Sequence, residues 1–189
     1  MIDNTKLVEI RWHGRGGQGA VTSAELLAQA AINEGKYAQA FPSFGPERRG
    51  APVLAFVRID SKQPIRVRAD IIQPDVVVVL DSSLVRIVDV TSGLKEDGII
   101  VINTQKEADQ IREELGVSCP LAVVNATSIA RQVLGVPIAN TSMVGAVVRA
   151  TGVVNLESLV EPLKDRFGRL AERNIEAMKR AYNEILIVE

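Results

Sequence analysis

The sequence holds one cysteine, Cys119, and one histidine, His13, among 189 residues. Two such residues cannot build a zinc site of the Cys/His type, nor hold an iron–sulfur cluster from this chain alone. Aromatic residues are scarce as well, 4% against 47% hydrophobic residues in all, so the core must be aliphatic. An excess of one charge is missing too. The net charge is −1, without the basic surplus that marks a general nucleic-acid binder. No apolar run reaches the ~18 residues of a membrane-span candidate. The opening "MIDNTKLVEI" lacks the apolar stretch of a secretory leader. Together these absences predict a soluble chain in a reducing, cytoplasmic setting, with neither membrane nor nucleic acid as partner. A chain of this size buries about 70% of its unfolded surface. It therefore needs no disulfide or metal to fold, and one domain over residues 1–189 is expected. Cys119, next to Pro120 and the run "LAVVN", reads as a small buried hydrophobe rather than a nucleophile.

What is present is a regular alternation of elements. "LVEIRW" (7–12) alternates as a strand, and residues 18–33 carry Val21, Ala24, Ala28, Ala31 and Ile32 at helical spacing. Gly35 closes that helix. "YAQAF" reads as a second strand, and "PSFGPERRGAP" (42–52) as a Pro/Gly-rich loop. "VLAFVRI" and "PIRVR", flanking the turn signal "DSKQ", read as an antiparallel hairpin. "VVVVL" (76–80), "IIVIN" (99–103) and "LAVVN" (121–125) are continuous apolar runs, as in parallel strands covered on both faces. Helical stretches are expected near 82–89, 106–115 and 127–134. Three further helices are expected near 141–150, 156–167 and 171–186, the last with Ile175, Met178, Tyr182 and Ile185 toward the core. The fold class is α/β in three layers, a mostly parallel sheet with an antiparallel hairpin addition and C-terminal helices.

The chemistry concentrates in "HGRGGQG", residues 13–19, at the first strand-to-helix junction. Glycines allow a sharp turn and close backbone approach to a ligand, while a helix N-terminus offers free N–H groups to an anion. The candidate binding residues are Gly14, Arg15, Gly16, Gly17, Gln18 and Gly19, with Ser23 and Thr22 as hydroxyl donors and Arg15 as a full charge. No catalytic residue and no metal ligand is assigned. A nicotinamide site would need a carboxylate ending the second strand, about 20 residues on, to hold the ribose. That strand ends at Ala40 and Phe41 before Pro42, and Glu34 precedes it. The loop is therefore built for a phosphate other than that of NAD(P), although Arg48 and Arg49 leave a free-standing NAD(P) reductase as the alternative. A scaffold whose loop binds nothing is a third reading, disfavoured by the basic, glycine-rich loop.

"EIRWHGRGGQGAVTSAELLAQAA", then "YAQAFPSFGPERRGAPVLAFVRI", "PDVVVVLD", "GLKEDGIIVIN" and "NTSMVGAVVRATG", in this order, resemble the gamma subunit of 2-oxoacid:ferredoxin oxidoreductases of the pyruvate synthase family. The resemblance implies a Rossmann-like domain in an enzyme that decarboxylates a 2-oxoacid, with pyruvate favoured. Its electrons pass to ferredoxin and its acyl group to coenzyme A. It also implies that thiamine diphosphate, Mg2+ and iron–sulfur clusters sit in partner alpha, beta and delta subunits, with no cofactor bound by this chain alone. The glycine loop would then meet the pyrophosphate of coenzyme A, a co-substrate. Arg48 and Arg49 would serve that site or a subunit contact.

The remaining residues carry weaker signals. Phe41 and Phe44, in or beside an exposed loop with Arg48 and Arg49, have the composition of an interface. Arg66, Arg68 and Arg58 are expected on one face, favoured as a solvated one, with a site for the 3′-phosphate of coenzyme A as the other reading. His13 is expected to orient the loop by a hydrogen bond. Asp81, Asn103 and Asn125 end their strands at the carboxyl edge as ligand or loop-bracing residues. Asn140 or Thr141 is expected to cap a helix in which Gly145 and Ala146 permit close packing, internal or against a partner.

Overall fold

The computed structural model describes residues 2–43 and 50–189. A seven-stranded sheet runs in the order β2-β3-β1-β4-β5-β6-β7. Its strands are β1 (Val8–Arg15), β2 (Tyr37–Pro42), β3 (Pro52–Asp60), β4 (Val76–Val79), β5 (Ile99–Asn103), β6 (Leu121–Val124) and β7 (Leu186–Val188). The helices are α1 (Ala20–Asn33), α2 (Ala108–Leu115), α3 (Ala126–Leu134), α4 (Asn140–Thr151), α5 (Val160–Phe167) and α6 (Ala171–Glu184). The centre is parallel as expected, with β1 on β4, β4 on β5 and β5 on β6. The flanks are antiparallel, with β1 on β3, β2 on β3 and β6 on β7, so only half of the six pairings are parallel.

Period-two side-chain alternation sorts the apolar runs onto two faces. Val76, Val78, Val101, Ala122 and Val124 join Ile10 and Trp12 in one cluster, under α1, α3, α4 and α6. Val77, Val79, Ile100, Ile102, Leu121 and Val123 join a second cluster, with Leu84, Val90 and α2. Partly buried Cys119 packs against this second cluster, and burial pushes its thiol up, away from nucleophilic use. The three-layer arrangement follows from these two-faced strands.

The hairpin partner differs from expectation. Residues 64–68 form no strand, because β3 already has β1 on one side and β2 on the other. Arg66 and Arg68 are exposed. Arg58 leaves their group. It is 4% exposed, its Nε donates to Glu9 at 2.9 Å, and its guanidinium lies 5.5 Å from the centre of the Phe41 ring. Phe41 is likewise buried, against Phe56, rather than offered to a partner. Phe44, Arg48 and Arg49 lie outside the described residues.

The expected helix at 82–89 is only a 3-10 turn over Ser82–Arg86. The C-terminal helices stand as expected, with a 3-10 turn over Leu156–Leu159 before α5. The chain then returns to the sheet as β7, so Ile185 lies past the last helix. Asn140 and Thr141 do not cap α4, whose N-cap is Ala139 without a side-chain bond. Thr141 instead donates to Asn174 of α6 at 3.0 Å. A Cβ on Gly145 would stand 2.1 Å from the Met178 carbonyl oxygen, so this glycine serves internal contact between α4 and α6.

Candidate functional site

Gly14 and Arg15 end β1, and Gly16 to Gly19 form the turn into α1. Gly14 sits where a Cβ would be 3.2 Å from both the Ala20 Cβ and a Leu80 methyl, so strand and helix close tightly over it. Gly17 and Gly19 have φ of +93° and +83°, a region that side chains disfavour. The loop is pinned at both ends. Gly16 N donates to Ala51 O at 2.9 Å, and Gly50 N donates to Gly16 O at 3.2 Å. Gln18 N donates to Arg15 O, while the Gln18 side-chain oxygen accepts from Arg15 N at 2.8 Å. The first intrahelical bond is Ser23 N to Gly19 O. The N–H groups of Gly17, Gly19, Ala20, Val21 and Thr22 have no backbone partner among the described residues. They are the donors that a helix N-terminus offers to an anion.

Arg15 is a clamp and not a free charge. Its guanidinium donates to Asp81 at 3.0 Å, to Gly50 O at 3.0 Å and to the Ser83 hydroxyl at 2.9 Å. Asp81 also accepts from the Gln18 side chain at 2.9 Å and from Ser83 N at 3.0 Å. Partial burial opposes its charge, but the bonds from Ser83, Gln18 and Arg15 outweigh that and hold the carboxyl below its usual range. Ser23 is turned away from the loop's open side. It is fully buried, and its hydroxyl contacts Gly19 O at 3.1 Å and Asn140 O at 3.2 Å. Its small size lets α1 pack on α4, which explains a serine there without a ligand. Thr22 Oγ1 accepts from Arg166 at 3.2 Å.

His13 does not reach the loop with its side chain. It points to the sheet face opposite α1, where its Nε2 accepts from Arg11 Nε at 3.0 Å. Burial, then the adjacent Arg11 charge, pull it down to about 3, so it is neutral at physiological pH.

Beside the loop, a cleft of about 590 Å³ opens at the carboxyl ends of β4, β5 and β6. Gln18, Asp81, Asn103, Asn125 and Asn140 line it, with Lys106, Thr127 and Arg131. The strand-end residues are braces. Asn103 Nδ2 donates to Leu80 O and Thr127 Oγ1, each at 2.8 Å, and its oxygen accepts from Thr127 N at 3.2 Å. Asn125 caps α3 by accepting from Ser128 N at 3.0 Å. Asn140 presses on Gly19, where a Cβ would stand 2.7 Å from Asn140 Nδ2. Sequence reasoning missed Lys106, Thr127 and Arg131. Thr127 and Arg131 are four residues apart on α3, a spacing that puts them on one helix face. Lys106 is paired with Glu114, and Arg131 has no ion pair among the described residues.

The site also speaks on the nicotinamide alternative. β3 separates β2 from β1, which puts the end of β2 about 10 Å from β1 at ~4.8 Å per strand. A ribose-binding carboxylate there would be out of reach, and Phe41 and Pro42 supply none. No group of three or more potential metal ligands occurs among the described residues. No helix among them is long and apolar enough to cross a membrane.

Fold and site thus define an α/β domain with a glycine-rich turn into its first helix and no carboxylate at the end of β2 among the described residues. Residues 9–184 match the family described as pyruvate ferredoxin/flavodoxin oxidoreductase, and the chain belongs to that family. It is 55% identical over 185 residues to the "Pyruvate/ketoisovalerate oxidoreductases common subunit gamma" of Pyrococcus furiosus, covering 97% of this chain and 100% of that one. It is 51% identical over 181 residues to "Pyruvate synthase subunit PorC" of Methanocaldococcus jannaschii, covering 95% and 98%. The crystal structure of a pyruvate oxidoreductase subunit PORC from Thermotoga maritima superposes with a TM-score of 0.88 at 42% identity, covering 97% and 99%.

Proposed function

We propose that this chain is the gamma subunit of a hetero-oligomeric 2-oxoacid:ferredoxin oxidoreductase, and that its part is to seat coenzyme A and support assembly. The whole enzyme converts a 2-oxoacid and coenzyme A to acyl-CoA and carbon dioxide, passing two electrons to ferredoxin. The observation that carries this reading is the run of N–H groups at Gly17, Gly19 and the start of α1 that have no partner among the described residues, beside a polar cleft. The loop suits the pyrophosphate, and Lys106 and Arg131 add positive charge along the cleft wall. The chain's own residues bind and orient the thiol donor. The one half-buried cysteine cannot hold a cluster, and the one histidine is buried and neutral away from the loop, so neither is given an electron- or proton-carrying part.

Thiamine diphosphate, Mg2+ and the clusters belong on this reading to alpha, beta and delta type partners. A single cysteine does not fit a cluster. Pyruvate is the favoured substrate. The Pyrococcus relative is named as common to pyruvate and ketoisovalerate enzymes, which suits a gamma chain that does not choose the 2-oxoacid. Residues 1–189 act as one gamma-type domain in the cytoplasm.

Reconstitution tests the proposal. The full chain alone should show neither cluster absorbance nor turnover, and added to its partners it should restore coenzyme A-dependent pyruvate oxidation. Turnover by this chain alone, or full turnover by the partners without it, would refute the role.

A further inference from the structure

We propose that Asp81 is a positioning residue for the glycine loop, shaping it from the end of the neighbouring strand without itself touching the ligand. This rests on the reading of that loop as the coenzyme A seat. Asp81 follows β4 and lines the cleft, where a carboxylate is an odd neighbour for an anionic ligand. Its lone pairs are committed elsewhere. Oδ2 accepts from Arg15 Nε at 3.0 Å and from Gln18 Nε2 at 2.9 Å. Oδ1 accepts from Ser83 N at 3.0 Å and from Ser83 Oγ at 2.6 Å. One oxygen thus holds the loop and the other holds the turn after β4.

Backbone bonds fix Gly16 to the 50–51 segment and Gln18 N to Arg15 O, and among the described residues the side-chain anchor of the turn is Asp81. Gly17 makes no contact at its Cβ position. The Gln18 side chain accepts from Arg15 N and donates to Asp81, so it spans the turn as a strut whose anchor outside the loop is Asp81. The negative charge is also required. Arg15 lies 28% exposed at the loop, and without its carboxylate partner it is free to swing away from Gly50 and Ser83. An amide cannot replace the carboxylate. If an asparagine oxygen kept the Ser83 donors, its NH2 would face the N–H groups of Arg15 and Gln18, donor against donor. Flipped, it would lose the Ser83 turn.

The test uses Asp81→Asn, Gln18→Ala and the double variant. Two quantities are measured, amide hydrogen exchange over residues 14–19 in the full chain and steady-state constants in the assembled enzyme. Each single variant should speed loop exchange and raise the coenzyme A KM roughly tenfold, equivalent to about 1.4 kcal/mol. The kcat at saturating coenzyme A and the 2-oxoacid KM should hold. The double variant should be no worse than the worse single one, because both remove the same strut. Unchanged loop exchange in both single variants, or multiplied effects in the double, would overturn the inference. Faster exchange with an unmoved coenzyme A KM would keep Asp81 as the loop's holdfast and overturn the coenzyme A reading instead. If Asp81→Asn does not fold, Gln18→Ala decides by the same two readouts.

Discussion

Arg11 and His13 stand two residues apart on β1, and Nε of Arg11 donates to Nε2 of His13 at 3.0 Å. The imidazole must therefore be neutral on that side, leaving its proton on Nδ1. Arg11 places its remaining donors on the carbonyls of Ile71, Val90 and Ser92. A buried cation thus holds the 70–72 and 90–92 segments beneath the sheet, and a histidine serves as its acceptor.

Burial of His13, with the Arg11 charge beside it, gives stability a pH dependence of known sign. The folded His13 titrates at about 3 against an ordinary 6.5. Its contribution is therefore complete above pH 6.5 and is lost as pH falls toward 3, because the unfolded chain binds the proton first. Asp81 and Glu34, both lowered, lose their contributions only in the acid range below ordinary carboxylate values. The thermal midpoint should thus fall between pH 6.5 and 5 in the native chain. In His13→Gln, which keeps an acceptor for Arg11 but does not titrate, that slope should flatten. An identical slope in the variant would show that His13 is not the group responsible.

Much of this was legible in the sequence, for physical reasons. Val76–Val79, Ile99–Asn103 and Leu121–Val124 are buried on both faces, so their apolar runs announced parallel strands directly. The turn into α1 is marked by its glycines, and two of the four, Gly17 and Gly19, have positive φ. The 64–68 segment misled because alternation alone does not reveal that both edges of β3 are occupied. β7 was invisible because three residues, two of them exposed, carry no period. From sequence, Arg15 and Ser23 read as donors to a ligand. Their partners, Asp81 and Asn140, lie 66 and 117 residues away, and no local pattern reports such a pairing.

Gly145 offers a packing test. Alanine there would put a methyl 2.1 Å from the Met178 carbonyl oxygen, against main chain that cannot rotate aside. Forcing α4 from α6 should cost on the order of 1–3 kcal/mol. At roughly 2–4 °C per kcal/mol for a domain of this size, the thermal midpoint should drop visibly. An unchanged midpoint in Gly145→Ala would mean that the two helices separate freely.

The central claim is that the loop at Gly17 seats an anionic ligand, and a matched pair of glycines tests it. Gly17 and Gly35 flank α1 with φ of +93° and +78°, and a Cβ on either meets nothing within 4 Å. Alanine at each should cost similar backbone strain, about 1 kcal/mol. Only the methyl at Gly17 would stand among the loop N–H groups that lack a partner among the described residues. The decisive measurement is the coenzyme A KM of the assembled enzyme carrying Gly17→Ala or Gly35→Ala, beside the decarboxylation half-reaction without coenzyme A. Gly17→Ala should raise that KM roughly tenfold, Gly35→Ala should leave it unchanged, and the half-reaction should hold in both. If the two variants share the native coenzyme A constant, or if Gly17→Ala impairs the half-reaction instead, the loop does not seat coenzyme A.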